Sequence, residues 1–187
     1  SDDKGTYTAR LSYNVNDYLS VYGGVSTGFK ASSWNLSRDS RPFAGDIPAL
    51  AAAGLQVPNL SAGTRFAGPE ESTVYELGLK GEWATLSLNM ALFNQEIEGF
   101  QTNAFTGTGF NLTNAGKQST DGLEVDLNWA PLDRLRVAFA ATWLDPVYDE
   151  FPGAVGLGGV PADLSGEQPA GIPEFASNTN VTYNFSL

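Results

Sequence analysis

Residues 72–101 read STVYELGLKGEWATLSLNMALFNQEIEGFQ, and the period of this stretch decides the fold class. Tyr75, Leu77 and Leu79 alternate with Glu76, Gly78 and Lys80. Leu86, Leu88, Met90 and Leu92 alternate with Ser87, Asn89, Ala91 and Phe93. Successive side chains of a strand point to opposite faces, so the pattern predicts two strands joined by a very tight turn. One face is apolar; the other carries a Glu, a Lys and an Asn. Trp83 falls at the turn, where a transmembrane barrel places an interfacial aromatic. A soluble sandwich alternates in the same way, so the remainder of the chain has to separate the two.

Working outward, the same asymmetry recurs. Tyr7, Ala9, Leu11 and Tyr13 alternate with Thr8, Arg10 and Ser12, and a short turn follows at Val15-Asn16-Asp17. Leu19, Val21, Gly23 and Val25 then alternate with Ser20, Tyr22, Gly24 and Ser26. Residues 30–68 have no clear period, beyond a short helix expected near Ile47–Leu55 with Asp46 as its cap. A connection of roughly 40 residues is far longer than ordinary loops and marks either function or a wrong assignment. After Gln101 comes a Gly/Thr/Asn-rich connection. A fifth strand is expected at Gly122–Trp129, with a start as early as Phe110, and a turn at residues 130–134 around Pro131 and Asp133. Leu135, Val137, Phe139, Ala141 and Trp143 form the sixth. Residues 145–171 read as a long connection, and Phe175–Leu187 as the last strand.

Connections therefore alternate short and long. In an up-and-down meander, all short turns then share one rim and all long loops the other, as in bacterial outer-membrane barrels. Tyr13, Tyr18, Trp83 and Trp129 flank the short turns and are expected to form an interfacial aromatic girdle. A sandwich has no reason to place its large aromatics beside the short turns alone. The fold class expected is all-β: an antiparallel up-and-down meander forming a partial segment of a large transmembrane β-barrel.

Composition narrows the function. Charged residues make up only 17% of the chain, below the roughly 25% of soluble domains. The net charge of −11 argues against nucleic acid as a partner. There is no Cys, which removes disulfides and thiolate metal sites, and no His, which removes the commonest general base and metal ligand. No apolar run approaches the roughly 20 residues of a membrane helix, so any crossing must use strands. Glu70-Glu71 and Glu96/Glu98 are carboxylate pairs without a nucleophile and positioned base. Gly107–Phe110 is a loop rather than a phosphate-binding turn before a helix. No catalytic role, cofactor or metal is expected.

Several stretches resemble TonB-dependent outer-membrane receptors in the C-terminal part of the barrel. VYGGVSTGFK at residues 21–30 is similar to the family's strand ending in Gly-Phe-Lys before a long outside loop. Pro69-Glu70 followed by Tyr75-Glu76-Leu77-Gly78-Leu79-Lys80, Ala91-Leu92-Phe93 through Phe100-Gln101, and Asn111–Asn114 with Gly122-Leu123-Glu124 resemble further motifs in the right order. Ile172-Pro173 departs from the family's frequent Ala-Pro before a strand. The resemblance implies a barrel of roughly 22 strands around a plug, in the bacterial outer membrane, working with TonB-ExbB-ExbD through that plug. About seven strands are expected here, with neither plug nor TonB box in view, so the chain is expected to be a piece of a longer receptor.

Under this reading, Arg10, Glu76, Lys80, Glu124, Asp126 and Arg136 face the lumen, because Lys or Arg facing mid-membrane lipid costs about 2–4 kcal/mol. They form a hydrated wall that contacts the plug or, in the sharper reading, a substrate path. Trp34, Arg38, Arg41, Phe43, Arg65, Phe105 and Phe110 lie in the long loops. Arg beside aromatics suits an anionic or aromatic ligand such as a metal–siderophore complex, through charge and stacking. Asp145, Asp149, Glu150 and Asp163 could meet divalent cations at the outer leaflet. The function expected is import of a scarce ligand, most readily a ferric siderophore. The alternatives are a passive porin-like or structural barrel and a soluble adhesin-like sandwich.

Overall fold

The computed structural model describes residues 2–35, 45, 47–52, 66–105, 110–152, 154–155 and 161–185. The elements in chain order are β1 (Thr8–Asn14), β2 (Leu19–Lys30), β3 (Ser33–Trp34), α1 (Ile47–Ala52), β4 (Phe66–Ala67), β5 (Glu70–Glu82), β6 (Leu86–Glu98), β7 (Gln101–Phe105), β8 (Phe110–Asn114), β9 (Lys117–Leu132), β10 (Leu135–Glu150), β11 (Ala154–Val155), β12 (Pro161–Ala162) and β13 (Phe175–Tyr183). Seven of them form one sheet in the order β1-β2-β5-β6-β9-β10-β13. Every neighbouring pair is antiparallel, and chain order is sheet order. The sheet is an open meander, with β1 and β13 as its edges.

Register carries the alternation of residues 72–101 across the whole sheet. Leu11, Gly23, Leu77, Leu92, Leu123, Trp143 and Phe175 are successive cross-strand partners on one face. Tyr13, Val21, Leu79, Met90, Val125 and Ala141 make the next rung. No other described element covers this face: Leu11 is 80% and Leu77 62% exposed. A sandwich would bury these side chains in a core about 10 Å thick. The molecule is a single layer here, and its few buried apolar residues, such as Ala115, Phe151 and Ala154, lie mostly among the long connections.

The short connections sit together at one end. Asn16 Oδ1 accepts from the amides of Tyr18 and Leu19, both at 2.9 Å, closing the β1–β2 turn. Trp83 and Leu86 exchange backbone hydrogen bonds across the β5–β6 turn. Asp133 and Arg134 make the third turn. At the opposite end each long connection contains its own two-stranded hairpin, β3/β4, β7/β8 or β11/β12.

Four boundaries differ from the sequence reading. The strand at 122–129 does not begin at Phe110; Phe110–Asn114 pairs back on Gln101–Phe105, and β9 starts at Lys117. Its end runs through Pro131 to Leu132, because Pro131 sits where the β9/β10 register shifts and no ladder donor is needed. β10 runs past Asp145 to Glu150, again through a proline. Pro146 pairs with Thr120 of β9 and lies beyond the last β10/β13 pair, Trp143–Phe175, on an edge where the Leu144 and Tyr148 amides donate to Glu174 and Glu167 and no regular β13 ladder runs. The last strand ends at Tyr183. Of the helix expected at 47–55, the described part is α1; Asp46 and residues 53–55 lie outside the described residues.

Candidate functional site

Two regions bring candidate residues together: the polar face of the sheet, and the rim of long connections. On the polar face, Arg10, Gly24, Glu76, Phe93 and Gly122 follow one another across strands, as do Lys80, Asn89, Asp126, Ala140 and Asn178. Glu124 pairs with Ala91 and Thr142, and Arg136 with Thr182. Arg10, Glu76, Lys80, Glu124, Asp126 and Arg136 thus share the face opposite the exposed leucines. None of the six forms a salt bridge within the described residues.

Tyr22 organises the β1–β5 part of that face. The Arg10 guanidinium lies 3.5 Å from its ring centroid and the Lys80 ammonium 5.8 Å from it. The ring rests over Gly78, where any Cβ would overlap it. Phe93 covers Gly122 in the same way. In both pairs an aromatic takes the space that a missing side chain leaves on a neighbouring strand. On the apolar side Trp83 lies over Gly81. Tyr13, Tyr18, Trp83 and Trp129 are all exposed and sit near the short turns.

At the rim, Trp34 of β3 packs on Phe66 of β4, ring centroids 4.9 Å apart, while remaining 57% exposed. Phe105 and Phe110 occupy one cross-strand rung of the β7/β8 hairpin. Arg38, Arg41, Phe43 and Arg65 lie outside the described residues. The sequence reading missed the groups that tie the rim together. Gln101, only 9% exposed, donates from Nε2 to the carbonyls of Ala31 and Gly68 and accepts from Ser33 Oγ. Its amide donates to Glu70, whose same oxygen lies 3.3 Å from Lys30 Nζ. Asn114, the cross-strand partner of Gln101, accepts from the Gly68 amide and donates to the carbonyls of Gly68 and Gly99. Phe151, Ala115 and Ala154, flanked by Phe100, Tyr148 and Leu164, join the β7/β8 and β11/β12 regions.

Among the acids of the third connection, Asp163 accepts from the amide of Ser165, whose hydroxyl accepts from the Phe151 amide. The Ser165 side chain and amide hold the Asp163 carboxyl below its ordinary value. Ser119 Oγ donates to Asp149. Among the described residues no cluster of carboxylates is arranged to hold a metal ion. The arrangement offers an uncovered apolar face, a charged face, and an aromatic, hydrogen-bonded rim.

Over 129 residues the chain is 28% identical to the pesticin receptor of Yersinia pestis, covering 69% of this chain and 16% of that protein. The chain therefore spans about a sixth of the length of the curated relatives it matches. Its fold superposes on the ferric yersiniabactin uptake receptor FyuA from Yersinia pestis with a TM-score of 0.63 at 21% identity, covering 93% of this chain and 22% of that one. It superposes on the siderophore receptor PiuA from Acinetobacter baumannii with a TM-score of 0.65 at 22% identity, covering 95% of this chain and 23% of that one. Residues 1–187 match the family model described as TonB dependent receptor-like, beta-barrel. Meander, two-faced sheet and match over its full length agree: the chain belongs to the TonB-dependent receptor-like β-barrel family.

Proposed function

We propose that this chain forms part of the barrel wall and outer rim of an outer-membrane receptor that binds a ferric siderophore and imports it with energy from TonB-ExbB-ExbD. The family match over the whole chain carries the reading. Siderophore receptors among the similar folds support the ligand class. The uncovered apolar face would meet lipid, and Tyr13, Tyr18, Trp83 and Trp129 would anchor it at the interface beside the short turns. The face with Arg10, Glu76, Lys80, Glu124, Asp126 and Arg136 would line the lumen, where charges outside any salt bridge among the described residues would keep water or meet a plug.

At the rim, Trp34 supplies an exposed ring on which an aromatic or conjugated ligand can stack. Arg38, Arg41, Phe43, Arg65, Phe105 and Phe110 remain ligand candidates by residue type and by their place in the long connections. Uptake of radiolabelled iron by iron-starved cells carrying the full receptor tests the reading, with a panel of ferric siderophores as probes. The expected result is saturable uptake that disappears without TonB and weakens in Trp34→Ala. Uptake that persists without TonB points to the passive porin-like barrel instead.

A further inference from the structure

We infer that Gln101 is a positioning residue that fixes the Trp34–Phe66 aromatic pair at the rim. Its two side-chain ends hold both strands of the β3/β4 hairpin next to that pair. Oε1 accepts from Ser33, which precedes Trp34, at 2.9 Å. Nε2 donates at 2.8 Å to Gly68, two residues beyond Phe66, and at 2.9 Å to Ala31. Asn114 grips the same residue, Gly68, from the other strand of the β7/β8 hairpin, accepting from its N–H at 2.6 Å and donating to its carbonyl. One rung of β7/β8 therefore clamps both ends of the first long connection.

Gln101 and Ser33 are separated by 68 positions in sequence, so no local propensity sets this geometry. A Gln side chain has one acceptor and two donor hydrogens, and all three functions are engaged here. Because the amide is nearly sealed from water, each lost partner would leave a buried polar group unsatisfied. Glu70 strengthens the clamp by holding the Gln101 amide itself. The consequence for binding rests on the receptor reading above: the ring offered to an aromatic-bearing ligand keeps its orientation only while the clamp is closed.

Hydrogen exchange followed by mass spectrometry on the full-length receptor in detergent tests the clamp without any ligand. In Gln101→Leu, peptides spanning 31–35 and 66–69 are expected to exchange at least about tenfold faster. Peptides from 74–80 and 163–167 should keep the wild-type rate. Asn114→Ala, at an exposed position, should accelerate 66–69 by a smaller factor, and it supplies the reading should Gln101→Leu fail to assemble. Unchanged exchange at 31–35 and 66–69 in the variants that assemble overturns the inference. Absence of ferric siderophore binding by the wild-type receptor would count against the proposed function and leave the clamp standing.

Discussion

Met90 and Asn89 are neighbours in sequence on opposite faces of β6, and placing Arg at each in turn measures which face meets lipid. Met90 lies in the rung Leu79–Met90–Val125, midway between Leu86, beside the short-turn aromatics, and Asn94, where the apolar face turns polar. From Leu86 to Asn94 a strand climbs about 27 Å at roughly 3.4 Å per residue. At a tilt of about 40° that is about 20 Å along the membrane normal, near the roughly 25 Å apolar band of outer-membrane barrels. Met90 is thus at mid-band, and Met90→Arg is expected to cost about 2–4 kcal/mol. That is about a 30- to 800-fold drop in the folded-to-unfolded ratio. Asn89 pairs with Lys80 on one side and Asp126 on the other. An Arg there gains one charge and repels the other, so Asn89→Arg should stay within about 0.5 kcal/mol. The assay is an equilibrium urea titration of the full-length receptor in phospholipid vesicles. Equal costs, or a larger cost at Asn89, would refute the assignment of faces.

Two further outcomes are open to direct measurement. Gly78→Val drives a side chain into the Tyr22 ring and should destabilise the full-length receptor by about 1–3 kcal/mol in the same titration. Adding Tyr22→Ala should recover most of that loss; no recovery would mean the ring does not rest on Gly78. Asp163 concerns pH: its folded-state value is depressed by Ser165, so its contribution is present above the ordinary value of 3.8 and is lost as pH falls through the depressed one. Exchange at 163–167 should therefore rise only below about pH 4, once corrected for intrinsic rates. In Ser165→Ala that acid-induced step should shrink.

The meander was legible in the sequence because each strand of the main sheet has one uncovered apolar face, and period two survives wherever only one face is greasy. Leu86, Leu88, Met90 and Leu92 announce β6 without help from any neighbour. The six charged residues of the opposite face followed from the same alternation, since a one-residue slip would have moved all of them. Prolines misled at two ends. Pro131 and Pro146 look like strand breakers, yet Pro131 sits at a register shift and Pro146 beyond the last β10/β13 pair, circumstances visible only once the partner strands are placed. The hold of Gln101 on the rim escaped because its partners are distant in sequence: nothing in QTNAF states that its Gln will hold residues 31 and 68. Tyr22 was placed on the correct face, but its role needed Gly78 directly opposite it on β5 and Arg10 diagonal to it on β1, relations between strands that no single-strand pattern encodes.

The clamp at Gln101 separates what must stay fixed from what is free to drift. With geometry set at the gripped residues, as inferred above, the staves are expected to keep their register when the sequence between the grips changes. Each doubling of a flexible connection costs only about 0.6 kcal/mol in closure entropy. On the proposed function, a receptor built this way would trade one cargo for another by editing its tips, with the stave-to-stave seams untouched.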